Sequence, residues 1–247
     1  MREFIKRNED LFKVLVAFTA AQLCCVVLTL MLMGFVQAGY ISALMLNVIC
    51  AVTVNVAVFW LICGRPRSSP RAEKYLWYEP LLFFFAGVFL ACLAGMLTQL
   101  LQTSEGTTDT SAGADVLFLL YTAILAPIAE ETVFRGVVLT ALSKRHMLFS
   151  ALISATLFAV SHMSFDQLMY TFVFGFFLAL LAQRSGRLLP CILVHSANNL
   201  LTLAAGYSDT VGKISDIALP VLGTISLALL IFTGRLGYLI KAKPTDK

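Results

Sequence analysis

Ala126-Pro127-Ile128-Ala129-Glu130-Glu131-Thr132-Val133-Phe134-Arg135-Gly136 places two adjacent carboxylates and a guanidinium inside an apolar segment that runs from about Asp115 to Lys144. At about 1.5 Å per helical residue, that segment is long enough to cross a bilayer. Glu130 falls near its midpoint. A charge at that depth costs at least about 2.5–3.5 kcal/mol on insertion scales. Three such groups do not persist in lipid without partners. Either they line a polar interior or the segment does not span, and the rest of the chain decides which.

The composition points to a span. Of 247 residues, 59% are hydrophobic and 13% charged, with a mean hydropathy of +0.87. A soluble domain carries roughly 25% charged residues, so the chain reads as an integral membrane protein. Its six cysteines (Cys24, Cys25, Cys50, Cys63, Cys92 and Cys191) lie in or beside apolar segments without CxxC spacing. They are expected to be small buried hydrophobes, neither disulfides nor metal ligands. The first apolar run is too long for the core of a secretion signal and lacks a clear small-residue cleavage site, so no cleavable signal is expected.

Outward from the central stretch, eight apolar segments follow one another: Val14–Val36, Ile41–Cys63, Pro80–Leu101, Asp115–Lys144, Met147–His162, Gln167–Ala182, Leu188–Ala205 and Ile214–Ile240. The expected fold is an all-α polytopic bundle of about eight transmembrane helices with a polar site inside it. It reads as one membrane domain over 1–247, with no internal repeat and no separate soluble part. Cytoplasmic loops of membrane proteins are rich in Lys and Arg. With the N-terminus inside, Arg135 lies within a segment and Lys213 alone falls in an outer loop. The other sixteen of the eighteen basic residues fall on the cytoplasmic side. One span more or fewer would invert everything after it, so both termini are expected to be cytoplasmic. The net charge of +4 follows from this pattern and calls for no nucleic-acid partner.

The ionisable residues away from loops and segment ends are Glu130, Glu131, Arg135, His162 and His195. Glu131 and Arg135 stand four apart with the acid first, the favourable order for a helical ion pair. Phe158 and His162 on the fifth segment, and His195 and Asn199 on the seventh, have the same spacing, so each pair shares a helical face. If the three faces converge, they assemble a carboxylate base, two imidazoles and an amide. A buried glutamate can activate water, a histidine can orient it, and a second histidine with an amide can donate to a developing oxyanion. Pro127, a turn before Glu130, removes the helical bond to the Ala123 carbonyl and can bend the span. Each part alone has a plainer reading. Glu131–Arg135 can be a structural ion pair, the histidines packing residues, and Asn199 interhelical glue. Ser161, Ser196 and Asn198 read as packing or helix-contact residues.

The three motifs, Glu130-Glu131-xxx-Arg135, Phe158-xxx-His162 and His195-xxx-Asn199, in that order on three segments, resemble those of the CAAX-protease and bacteriocin-processing family of intramembrane endopeptidases, often called the Abi family. That family includes the type II CAAX prenyl endopeptidases. The resemblance covers about Ala126 to Asn199, with a family core expected over 115–205, and Phe134-Arg135-Gly136 continues the first motif. It implies that Glu130 is the catalytic base acting with His162 on water, that His195 and Asn199 form the oxyanion site, and that Glu131, Arg135 and Phe158 support them. The family has been described both as metalloproteases and as glutamate proteases. A glutamate mechanism requires no cofactor; were zinc bound, Glu130, His162 and His195 would be its ligands. The absence of HExxH argues against a site-2-type zinc protease. No Gly-x-Ser-x-Gly-like segment supports a rhomboid-type serine mechanism, and no intramembrane aspartate pair a presenilin-type one. The implied partners are the bilayer and a peptide or membrane-anchored protein substrate, as in CAAX-type or leader-peptide processing. Two rivals stand beside this: a non-catalytic immunity or regulatory protein of the same family, and a transporter or proton relay built on the same buried charges. The lack of an inverted repeat weighs against the transporter.

Overall fold

The computed structural model describes residues 8–39, 42–65, 76–101 and 116–234. Every regular element among them is helical. Eight helices follow the eight expected segments: α1 (Glu9–Gln37), α2 (43–63), α3 (Glu79–Leu101), α4 (Val116–Ala141), α5 (Met147–Ser161), α6 (Phe165–Ser185), α7 (Leu189–Tyr207) and α8 (Asp209–Phe232). The chain is therefore an all-α polytopic membrane protein. The basic loop after α2, the Ser/Thr-rich loop after α3 and the basic tail lie wholly or largely outside the described residues.

α1 begins at Glu9, five residues before the expected Val14, and α6 runs from Phe165 to Ser185, beyond the expected Gln167–Ala182 at both ends. α8 begins five residues before Ile214 because Ser208 caps it, its hydroxyl accepting from the Val211 N–H at 3.4 Å. α7 and α8 thus meet at a single residue. α5 is the shortest helix, with 15 residues, about 22 Å at helical rise. That is short of a hydrocarbon core of about 30 Å, so α5 does not cross alone. It is sheathed by its neighbours instead: Ala151, Ser154, Ala155, Leu157 and Phe158 are all buried.

Two apolar clusters hold the bundle. One joins α3 and α6 through Phe83, Ala86, Val88, Phe174, Phe177 and Leu178, with Leu230 of α8 against them. Close approach is made by glycines, as expected where lipid offers no hydrophobic drive between helices. A Cβ on Gly87 would stand 3.0 Å from the Phe177 Cβ, and one on Gly223 would collide with Phe89 at 2.2 Å. The second cluster joins Val14, Ala17 and Ala21 of α1, Phe59 of α2, Val133, Phe134, Val137 and Val138 of α4, Leu142 just after it, and Phe158 of α5. α4 lies between the two clusters and is buried almost all round from Val133 to Leu139. By contrast α1 exposes Leu23, Leu30 and Met31, and α8 exposes Ile217, Ile225 and Phe232. In water this surface would be an aggregation liability; in a bilayer it is the lipid-facing coat. Cys24 shares it, correcting the expectation that all six cysteines are buried. Cys191 alone is fully buried, and all six are free thiols.

α4 is not a regular α-helix. Tyr121–Leu125 and Thr132–Val138 are π-helical turns on either side of the α-helical Ala126–Glu131. In the first π turn the Ala126 N–H donates to the Tyr121 carbonyl, five residues back. In that register Pro127, which has no N–H, deprives the Thr122 carbonyl of its donor, not the Ala123 carbonyl expected from α-helical spacing. Such widened turns are frequent at functional sites, and these two frame the Glu130-Glu131 pair.

Two ion pairs staple the ends of the bundle. Arg184 at the end of α6 donates from Nε to Glu79 Oε2 of α3 at 3.1 Å, with both side chains buried. Sequence position placed Arg184 among the loop cations; the structure buries it. Arg145, after α4, donates from Nε to Asp10 Oδ2 of α1 at 2.7 Å in a half-exposed setting.

Candidate active site

The centre is built around Glu131, which is fully buried. Its Oε1 accepts from Arg135 Nη1 at 2.9 Å and from His195 Nδ1 at 2.8 Å. Two donors, one from α4 and one from α7, thus share one oxygen, while Oε2 has no partner among the described residues. Arg135 is held on three sides. Its Nη2 donates to the Gly175 carbonyl at 2.8 Å, and its guanidinium lies 4.5 Å over the Phe158 ring. Gly175 has to be a glycine here, since a Cβ would stand 2.7 Å from Phe158 Cδ1 and 3.2 Å from Arg135 Nη2. The sequence reading missed it; a glycine inside an apolar helix is the signal that marks such an approach.

The carboxylate can only accept, so His195 donates from Nδ1 and its Nε2 points away from Glu131. Glu130 lies on that side, with Oε2 3.8 Å from His195 Nε2. This is too long for a direct hydrogen bond and short enough for one water to bind both from the side. Glu130 is a quarter exposed where Glu131 is not, so adjacent glutamates have opposite environments. His162 caps the C-terminus of α5, followed by Met163 in a left-handed conformation at φ 49°. Strain of that kind clusters at functional sites. Its Nδ1 lies 2.8 Å from the Phe158 carbonyl, which can only accept, so this ring too donates from Nδ1 and its Nε2 faces away from that carbonyl. Phe158 is the hub of the rings. It meets His162 at 4.8 Å, His195 at 5.6 Å and Phe134 at 5.4 Å between centroids.

Asn199, one turn beyond His195, donates from Nδ2 to the Thr122 carbonyl of α4 at 2.8 Å. It therefore occupies the carbonyl that Pro127 leaves without a helical donor. Asn198, read from sequence as a packing residue, bonds to Asn199 Oδ1 at 3.4 Å and to Tyr170 of α6 at 2.7 Å.

The structure thus brings Glu130, Glu131, Arg135, Phe158 and His195 into one contact set. His162 joins through Phe158, and Asn199 through α7 and Thr122. Among the described residues no three His, Cys, Asp or Glu side chains are grouped as a metal site requires. The set Glu130, His162 and His195 does not fit a resident zinc, and no step below runs through one.

Residues 112–201 match the family model described as "Type II CAAX prenyl endopeptidase Rce1-like", and that region holds all seven of these residues. The chain is similar to that family over this region. It is 34% identical over 128 residues to an uncharacterized 24.3 kDa protein of Escherichia coli, across 49% of this chain and 59% of that protein. It is 29% identical over 154 residues to "Putative membrane peptidase YdiL" of Bacillus subtilis, across 60% of this chain and 55% of that one. The aligned region thus spans somewhat over half the length of each relative. No solved structure matches.

Proposed function

We propose that the chain is an intramembrane endopeptidase that hydrolyses a peptide bond of a membrane-associated peptide or protein, in CAAX-type or leader-peptide processing. The observation that carries the reading is the Glu131–His195 bond, which turns His195 Nε2 toward the partly exposed carboxylate of Glu130. Arg135 balances the charge of Glu131, so Glu130 is left as the carboxylate free to take a proton. In the proposed reaction Glu130, with His162 Nε2, draws a proton from a water that attacks the scissile carbonyl carbon. The oxygen that gains the electron pair is met by Asn199 Nδ2–H and, when the ring carries both protons, by His195 Nε2–H. Collapse breaks the C–N bond, and Glu130 returns its proton to the leaving amine. Glu131, Arg135 and Phe158 touch no reacting atom in this scheme; they hold His195 and His162. Both termini are cytoplasmic and the site opens to that side, as the distribution of basic residues and the CAAX likeness suggest.

The test uses the purified full-length chain in liposomes with a membrane-anchored peptide carrying a lipidated C-terminal CAAX sequence, the products being weighed by mass spectrometry. Release of the last three residues with one added water supports the reading. An uncut peptide, with the same result for membrane-tethered leader peptides, counts for the non-catalytic alternative.

A further inference from the structure

Asn199 is one link of a longer chain of hydrogen bonds whose direction can be derived. The Thr122 carbonyl can only accept, so Asn199 must present its NH2 there, at 2.8 Å. Its Oδ1 is then the atom facing Asn198, which must donate from Nδ2, at 3.4 Å. Asn198 is thereby left with Oδ1 facing Tyr170, whose hydroxyl must donate, at 2.7 Å. The sense of every bond is dictated from the Thr122 end. Thr122 is available because Pro127 has no N–H to offer it in the π-helical register of Tyr121–Leu125. Three helices are joined: α6 through Tyr170, α7 through the two asparagines, and α4 through the carbonyl.

We infer that Tyr170 and Asn198 are positioning residues that reinforce the sense Thr122 gives the Asn199 amide, since turning it over would break the bonds to both Thr122 and Asn198 in this relay, anchored on the carbonyl that Pro127 leaves open. The inference rests on the peptidase reading for its catalytic consequence but not for its geometry. An unrestrained primary amide can turn over, exchanging oxygen for nitrogen at small cost. An Asn199 turned the wrong way would offer a lone pair to a developing oxyanion, which repels it. With the relay intact, one Nδ2 hydrogen is held by Thr122 and the other remains for the substrate. Aligned donors along a chain of hydrogen bonds also strengthen one another. Asn198 is buried and Tyr170 partly so.

Two measurements on the full-length chain test this. The first is thermal unfolding of Asn199→Ala, Pro127→Ala and the double variant. Asn199→Ala strands the partly buried Thr122 carbonyl and lowers Tm by about 2–4 °C. Pro127→Ala supplies an N–H to Thr122, so in that background the same substitution lowers Tm clearly less. Equal shifts in both backgrounds overturn the anchor. The second measurement is cleavage of the lipidated CAAX peptide by Tyr170→Phe, which removes one oxygen, and by Asn198→Asp, which can still accept from Tyr170 but cannot donate to Asn199. Both lower kcat about tenfold or more with KM unchanged within about twofold. Undiminished kcat in either variant overturns the positioning role. Should the wild-type protein leave the peptide uncut, the peptidase reading fails for that substrate, while the thermal cycle still decides the anchor.

Discussion

At the scale of single residues, neighbouring glutamates divide the work by environment. Glu131 is fully enclosed and spends one oxygen on Arg135 and His195. Glu130 is a quarter exposed and meets His195 only at 3.8 Å. Removing one partner of a buried pair leaves an uncompensated charge, at about 3–5 kcal/mol. Arg135→Ala is therefore expected to express poorly and melt early as well as losing activity; a well-expressed variant with an unchanged melting temperature would show that the pair carries no structural weight. Arg135→Lys keeps the charge but not the simultaneous reach to Glu131, Gly175 and the Phe158 face, so it should fall between. Gly175→Ala adds one methyl against Phe158 and Arg135 and should cost about 1–3 kcal/mol, read as a lowered denaturation midpoint. The polar centre was legible in sequence because ionisable residues stand out against an apolar background and the four-residue spacings survive in the helices. Gly175, Tyr170 and Asn198 were not, because their roles depend on approach between helices distant in sequence, which spacing along one helix does not encode.

At the scale of elements, the two interhelical ion pairs look alike on paper and differ in burial. Glu79–Arg184 is enclosed between α3 and α6, the two helices at the heart of the larger cluster. Asp10–Arg145 is partly open to solvent. Arg184→Ala should cost about 3–5 kcal/mol, whereas Arg145→Ala should cost about 0–1 kcal/mol and respond to added salt. Comparable losses in side-by-side chemical denaturation would contradict this ranking. Sequence reading placed both arginines at loops, since nothing in one dimension distinguishes a cation facing water from one turned inward. The irregularity of α4 was half legible. Pro127 announced a disturbance, but the π register, and with it the identity of the orphaned carbonyl, depends on packing between two clusters. The eight helices themselves were plain from apolar length. The early start of α8 at Asp209 was missed because an apolar window begins after the polar turn that Ser208 caps.

At the scale of the whole molecule, the polar centre is built between α4, α5, α6 and α7, with α1 and α8 carrying the lipid-facing coat. In the proposed orientation the centre is reached from the cytoplasm. With the six native cysteines replaced, Thr132→Cys should react with membrane-impermeant thiol reagents from the cytoplasmic side; labelling from the outside alone would reverse the access side. The account as a whole depends on Glu130 being the group that activates water, and one measurement reaches that claim directly. Glu130→Gln keeps the shape of the side chain and removes its basicity, so cleavage of a membrane-anchored peptide by the full-length protein in liposomes should fall to the detection floor while the melting temperature stays at the wild-type value. A Glu130→Gln protein that still cleaves at a rate comparable to wild type would contradict the account.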